Sequence, residues 1–522
     1  MWHEVKATQI AFNIKNNDEA IASKKRWFAY VKGGGFRKWS GNYEYVVNWY
    51  KDGEELKTFV DPETGRIRSH NYNGDYAFRS GFTWSGISSS IFAVRHVPIG
   101  FMFDAKGPMG FVFHVADQKY CEAFLNSSVT NHFLKMLAPT LDFKLGHILN
   151  LPFKTDLTKL IFDNASKAYL CSLNDWNSYE ISWDFNNSSL LHSNYIQPKL
   201  KTTYDQLRFH WQEMTLEMQR LEKENNSIFI DAYGLKNELK SDVPLNEITL
   251  TCNPHYRYGG EKNEEELETL LLADTIKEFI SYAVGCMFGR YSLDKPGIIL
   301  ANQGETVEDY LARVPDPTFE PDEDNVIPIL DEGWFTDDIT EHFRKFLKIT
   351  FGEDHYEENM QFIVEALNVK KKKDYTVRDY FLTEFYNDHL KRYKKRPIYW
   401  LFSSPKGSFN ALIYMHRYRP DTASVVLNDY LREFRTKLSA RKENLEQVSI
   451  SGSANPREKT DALKNLEKLR KVIDELEVYE RETLYPLATK QIPIDLDNGV
   501  KFNYLLLGDA LKKIPGLDAG EE

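Results

Sequence analysis

The chain has 522 residues, 42% of them apolar and 27% charged, which excludes a wholly disordered chain and leaves room for about three or four domains. Its formal net charge is −11. No apolar run approaches the length of a membrane-crossing helix and the N-terminus lacks an apolar secretion core, so no membrane partner and no signal peptide are expected. The four cysteines, Cys121, Cys171, Cys252 and Cys286, are scattered without a CxxC pair. That argues against a structural zinc or a disulfide scaffold and favours a reducing, cytoplasmic location.

The average charge conceals an asymmetry. Residues 1–160 carry 20 Lys/Arg against 15 Asp/Glu, and the remainder 46 against 62. A basic front on an acidic body can focus a polyanion onto one face. The first 150 or so residues read as a compact α+β section. Aromatic and β-branched runs such as 43–47 and 111–113 alternate with turns at Gly33–Gly35, Asp52-Gly53, Asn73-Gly74 and Lys106-Gly107-Pro108. Residues 117–136 turn helical, with Phe124, Leu125, Phe133 and Leu134 as expected core, and Pro139 and Pro152 bracket the segment that ends the section.

Within that section, residues 24–38 supply Lys24, Lys25, Arg26, Lys32, Arg37 and Lys38 with no acid, interleaved with Trp27, Phe28, Tyr30 and Phe36 around three consecutive glycines. Lysine and arginine meet phosphates, and arginine also offers a fork to a guanine edge. The bland alternative is a glycine hairpin with solvated basic flanks. Arg66, Arg68 and His70 occur at alternate positions, which in a strand project from one face. Arg79 with the following Ser80, Thr83 and Trp84 completes the candidate DNA contacts.

Further along, Leu207, Trp211, Met214, Met218, Leu221, Asn225 and Ile228 alternate by four and three residues and predict a helix. The stripe suits either a coiled-coil seam with Asn225 setting register, or packing on the chain's own body. Residues 264–291 predict a second helix with an acidic start, and the Pro- and acid-rich 305–328 a loop or domain boundary. Residues 335–395 read as several amphipathic helices. Leu427 to Val448 and Leu466 to Leu476 carry matching stripes on either side of a polar break at 451–456, predicting an antiparallel hairpin. Expected domains are therefore 1–160, 161–245 (helical spacer), 246–334 (mixed linker and helical domain) and 335–522 (helical, with the hairpin).

Catalytic signals are weak. Asn253-Pro254-His255-Tyr256 invites comparison with the Asn-Pro-Pro-aromatic loop of amino-group DNA methyltransferases, but no glycine turn of a cofactor-binding domain accompanies it. A turn leading into the next helix is the better account. The lysine runs 370–373 and 391–396 read as solvated helix ends. No acid or histidine cluster has nuclease or metal-site spacing, so no catalytic, cofactor-binding or metal residue is expected.

Several longer segments carry a family resemblance: 32–39 (Lys-Gly-Gly-Gly-Phe-Arg-Lys-Trp), 82–84 (Phe-Thr-Trp), 141–143 leading to 148–153, 229–234 (Phe-Ile-Asp-Ala-Tyr-Gly), 251–254 (Thr-Cys-Asn-Pro) and 393–400. Through them the chain resembles the C-terminal half of the adenine-specific DNA methyltransferases of BREX phage-defence systems, the PglX family. The resemblance implies a mixed target-recognition domain followed by mainly helical spacer and scaffold domains, α+β overall. It implies double-stranded DNA, a separate methyltransferase catalytic domain and other BREX proteins as partners. S-adenosylmethionine would belong to that catalytic portion and not to this chain. A protein-interaction scaffold within a defence complex, with an incidental basic patch, is the competing reading.

Overall fold

The computed structural model describes residues 1–69, 73–87, 91–137, 142–154 and 159–517; His70, Pro139 and Leu141 lie outside them. The fold is α+β and rich in helix. It divides into two compact units, one of Met1–Trp2, Ala7–Ile196 and Lys201–Asp274, the other of His3–Lys6, Gln197–Leu200 and Thr275–Glu522. The division falls within the helix Glu264–Met287 and coincides with none of the boundaries expected near 160, 245 and 334.

In the first unit β1 (Ile10–Ala11), β2 (Trp27–Tyr30), β3 (Tyr45–Asn48), β4 (Gly81–Trp84), β5 (Val94–Val97), β6 (Phe101–Met102) and β7 (Met109–Gly110) form two small sheets. β2 is the hub of the first. It pairs antiparallel with β3, and parallel with β1 at one end and β6 at the other. Successive side chains of a strand point to opposite faces, and both faces of β2 are covered. Phe28 joins a cluster with Trp49, Phe78 and Met102, whereas Ala29 joins one with Tyr43, Phe101 and Trp176. In the second sheet β4 lies between β5 and β7, and every residue of β4 is buried. The Trp84 indole donates to the Phe143 carbonyl at 2.9 Å. Residues 111–113, expected as strand, lie beyond β7 and pair with nothing in the sheet; Phe113 is fully exposed.

Helices Gln118–Leu125 and Ser128–Leu137 replace the single helical segment expected there, and Phe124, Leu125 and Leu134 are buried. The long helix Leu200–Ala232 follows the predicted stripe, with Leu207, Trp211, Met218, Leu221 and Asn225 buried. Its partner is the chain itself: Asn225 donates its amide to the Ala123 carbonyl at 2.9 Å, an anchor within the unit and not a register lock.

The second unit surrounds a three-stranded antiparallel sheet of β8 (Ile327–Pro328), β9 (Tyr399–Ser403) and β10 (Asn410–Tyr414), with β10 central and all twelve residues buried. Asn325 extends the sheet by spending both ends of its amide on the Tyr414 backbone, each at 3.1 Å. The 305–328 stretch is thus part of this core and not a boundary. It contains a short capped helix, Val307–Arg313, as well as β8. Helices Ile339–Phe351 and Tyr356–Leu367 fall within the predicted amphipathic region. Helices Arg432–Ile450 and Pro456–Tyr479 form the predicted hairpin, in which Asn455 caps the second helix by accepting from the Glu458 amide. Leu427, Leu431, Phe434, Leu438, Leu466, Leu469 and Leu476 are buried, while Ile450 and Leu463 are 82% and 57% exposed.

The interior of the second unit holds three buried histidines, His3, His389 and His416. Burial, with Arg290 nearby, holds His416 down at about 3 and His3 and His389 well below the usual imidazole value. His389 Nε2 accepts from the Tyr399 amide at 3.1 Å, which requires an unprotonated nitrogen. The unfolded chain binds protons near pH 6.5 while the folded one stays neutral, so stability is full above that pH and is lost as pH falls toward 3. Each histidine contributes up to about 1.4 kcal/mol per pH unit in that window. Urea unfolding followed from pH 7.5 to 4.5 should show the midpoint falling, with a shallower fall in His416→Gln.

Candidate nucleic-acid interface

The nine cations singled out in the sequence separate into two groups. Arg37 and Lys38 are buried, each 3% exposed, and do not lie on a surface. Arg37 meets Asp175 at 2.6 Å, donates to the Ser40 carbonyl and Thr251 hydroxyl at 2.8 Å, and lies over the Trp176 ring. Asp175 also accepts the Thr251 and Cys252 amides at 2.7 and 3.0 Å. Gly41 leaves the space this requires, since a Cβ there would stand 2.5 Å from Arg37 Nε. Lys38 meets Glu222 at 2.7 Å, and the other Glu222 oxygen accepts the Trp39 indole at 2.8 Å. Trp39 itself takes φ +67°, unusual for a bulky residue. It is held there by that indole bond and by backbone bonds to Val94 and His96. The expectation that Arg37 and Lys38 contact DNA is therefore corrected: both are tied by charge to helices of the same unit.

The other seven, Lys24, Lys25, Arg26, Lys32, Arg66, Arg68 and Arg79, are exposed or half-buried. Lys24 ends the helix Asn17–Ser23 in a left-handed conformation, φ +54°. Lys25 donates to the Thr8 carbonyl at 2.5 Å, and Arg26 lies over Trp27 and 4.0 Å from Glu55. Lys32 follows the other end of β2, near the Tyr45 ring. Lys24–Arg26 and Lys32 thus bracket β2, about 20 Å apart along an extended chain, and do not converge on one point.

Arg66 and Arg68 lie in an irregular turn closed by one Val60–Ile67 bridge, not in a strand of a sheet. Arg68 is paired with Asp61 at 2.6 Å. Arg79 stacks over Tyr76 at 4.9 Å. The glycine turn serves chain packing. A Cβ on Gly33, φ +73°, would stand 2.9 Å from the Lys106 carbonyl oxygen, and the Gly34 and Gly35 carbonyls accept from Ser85 and Asn42.

Two polar features of the same unit escaped the sequence reading because their members are distant along the chain. Glu122, 1% exposed, meets His96 at 2.6 Å and Lys119 at 3.0 Å. Burial pushes its carboxyl up, but these two partners hold it below the usual carboxylate range. Arg95 on β5 is 2% exposed. Burial draws its guanidinium down to about 10, so it remains charged at neutral pH. The Asn253 tetrapeptide is a helix cap. Asn253 accepts from the His255 amide, and its own amide donates to the Leu245 and Ile248 carbonyls at 2.8 Å. Among the described residues no group of three or more His, Cys, Asp or Glu is placed to hold a metal ion, and no helix is long and apolar enough to cross a membrane.

Removing one member of a buried ion pair leaves the other charge uncompensated and costs about 3–5 kcal/mol. Arg37→Met and Lys38→Met should each lower the urea unfolding midpoint of the chain accordingly. Lys24→Ala and Lys32→Ala should leave stability within about 0.5 kcal/mol of the parent.

No family model matches the chain. It is 37% identical, over 512 residues and 96% of its length, to the adenine-specific methyltransferase PglX of Lacticaseibacillus casei. It is 34% identical, over 535 aligned positions and 99% of its length, to the adenine-specific methyltransferase BrxX of Escherichia coli O9:H4. The chain spans only 40% and 42% of these relatives. Similarity so nearly coextensive with the chain places it in the family of PglX and BrxX adenine-specific methyltransferases, as the counterpart of about two fifths of their length.

Proposed function

We propose that the chain is the DNA-recognition and scaffold portion of a BREX adenine-N6 DNA methyltransferase. The observation that carries this reading is the coextensive similarity to adenine-specific methyltransferases of which the chain matches about two fifths. Seven of the accessible cations in residues 24–79 support it, because phosphate contacts by lysine and arginine supply most sequence-independent affinity for a duplex. The first unit holds the duplex through Lys24, Lys25, Arg26, Lys32, Arg66, Arg68 and Arg79, and the helical second unit serves as scaffold. Adenine must leave the base stack before its amino group can be methylated. S-adenosylmethionine and the groups that carry out the transfer belong to a catalytic portion on another part of a longer protein or on a separate chain. Other BREX proteins are the remaining partners. One observation favours a pure interaction scaffold instead: the hairpin carries exposed Ile450 and Leu463.

Duplex binding measured by fluorescence anisotropy across a salt series separates the two readings. Lys24→Ala, Lys32→Ala and Arg79→Ala should each weaken binding, and each lost phosphate contact should lower the slope of log affinity against log salt by about 0.9. Absence of duplex binding by the parent at low salt would favour the scaffold reading. With labelled S-adenosylmethionine, the chain alone should transfer no methyl group to DNA.

A further inference from the structure

Arg95 differs from every other buried cation of the first unit discussed above. Among the described residues it makes no ion pair and no side-chain hydrogen bond, although it is 98% buried by its 2% exposure. Its backbone is fixed in β5 opposite Thr83 of β4, with a bridge to Trp39 on the other side. The side chain lines a recess walled by Phe92, Phe143 and Arg37, whose half-buried rim includes Phe36, Ser85 and Ile91. No acid lines it. Arg37 has its charge answered by Asp175, so the recess is electropositive and its second guanidinium is unanswered. The space inside admits at most about one water-sized group. A buried charge without a partner is costly, and a guanidinium presents a planar fork of donors suited to phosphate oxygens.

We propose that the Arg95 recess is an anion site that takes one oxygen of a phosphate group presented at the Phe36–Ser85–Ile91 rim. Its size rules out wholesale entry of a phosphate and fits a single protruding oxygen. The group can come from a DNA backbone or from free phosphate, and only the DNA source rests on the function proposed above.

The test uses the full chain, Arg95→Met, Arg95→Lys, and Ser85→Glu, which sets a carboxylate of the chain itself at the rim. Thermal unfolding is followed in inorganic phosphate against sodium chloride of equal ionic strength, and duplex binding across a salt series. The parent should gain about 2 °C or more in phosphate through binding to the folded state. Arg95→Met and Ser85→Glu should lose that gain, and Arg95→Lys should keep part of it.

With DNA, Arg95→Met and Ser85→Glu should bind about five- to tenfold more weakly, with the salt slope lowered by about 0.9. Loss of the phosphate effect in both variants, with no duplex binding by the parent, assigns the recess to free phosphate and removes the duplex reading alone. Unchanged phosphate response and unchanged duplex affinity in the variants overturn the recess while leaving the duplex reading intact. Weaker duplex binding at an unchanged salt slope points to base acceptors and overturns the phosphate assignment. If Arg95→Met fails to fold, Ser85→Glu, which retains Arg95, decides the matter by the same readouts.

Discussion

The first unit depends on two adjacent cations turned inward. Arg37 and Lys38 leave the glycine turn and meet Asp175 and Glu222, 138 and 184 residues further along the chain. In a low-dielectric interior each pair is strong only if its remaining polar atoms are satisfied. Here they are. Asp175 collects two amides besides Arg37, and Glu222 collects the Trp39 indole. These bonds fasten the segment after β2 to helices Lys159–Asn177 and Leu200–Ala232, and they hold Trp39 in a backbone conformation it would not adopt alone.

That constraint shows what was readable in the sequence and what was not. Helical elements announce themselves through local spacing, so the stripe from Leu207 to Asn225 and the hairpin between Leu427 and Leu476 were located correctly. Apolar periodicity contains its own burial signal. A lysine next to an arginine contains none, because the same dipeptide suits a solvated loop or a buried ion pair, and the choice lies in a carboxylate elsewhere in the chain. Arg37-Lys38 therefore reads as surface in the sequence and is buried in the fold. Similarly, Pro- and acid-rich 305–328 lacks periodicity because β8 is only two residues long and its pairing with β10 is non-local. Alternation at Arg66 and Arg68 suggested a strand, yet one bridge is all that the turn forms.

Removing two cations from the expected patch changes the physical character of the proposed DNA contact. Lys24, Lys25 and Arg26 stand at one end of β2 and Lys32 beyond the other. Cations separated in this way, each with local stacking or ion-pair support, suit successive phosphates along a backbone better than a single base edge. The net charge of −11 is no obstacle, because at physiological salt the field of distant acids is screened beyond about 8 Å.

Arg37 and Arg95 sit in the same unit and line the same recess, yet electrostatics gives them opposite meanings. An arginine whose fork is filled by a carboxylate and two other oxygens has no capacity left for a ligand, so its burial is explained by the fold that it secures. An arginine equally buried but without such partners has only the nearby hydroxyls of Tyr43 and Tyr256, neither a carboxylate, to set against its desolvation. Phe92 and Phe143 contribute no acceptor side chain, and the Ser85 hydroxyl, which donates to the Gly34 carbonyl, makes no bond to Arg95. The sheet fixes the backbone of Arg95 in β5, opposite Thr83 of β4. Among the described residues no acid answers that charge, and an anion presented at the rim of Phe36, Ser85 and Ile91 would balance it.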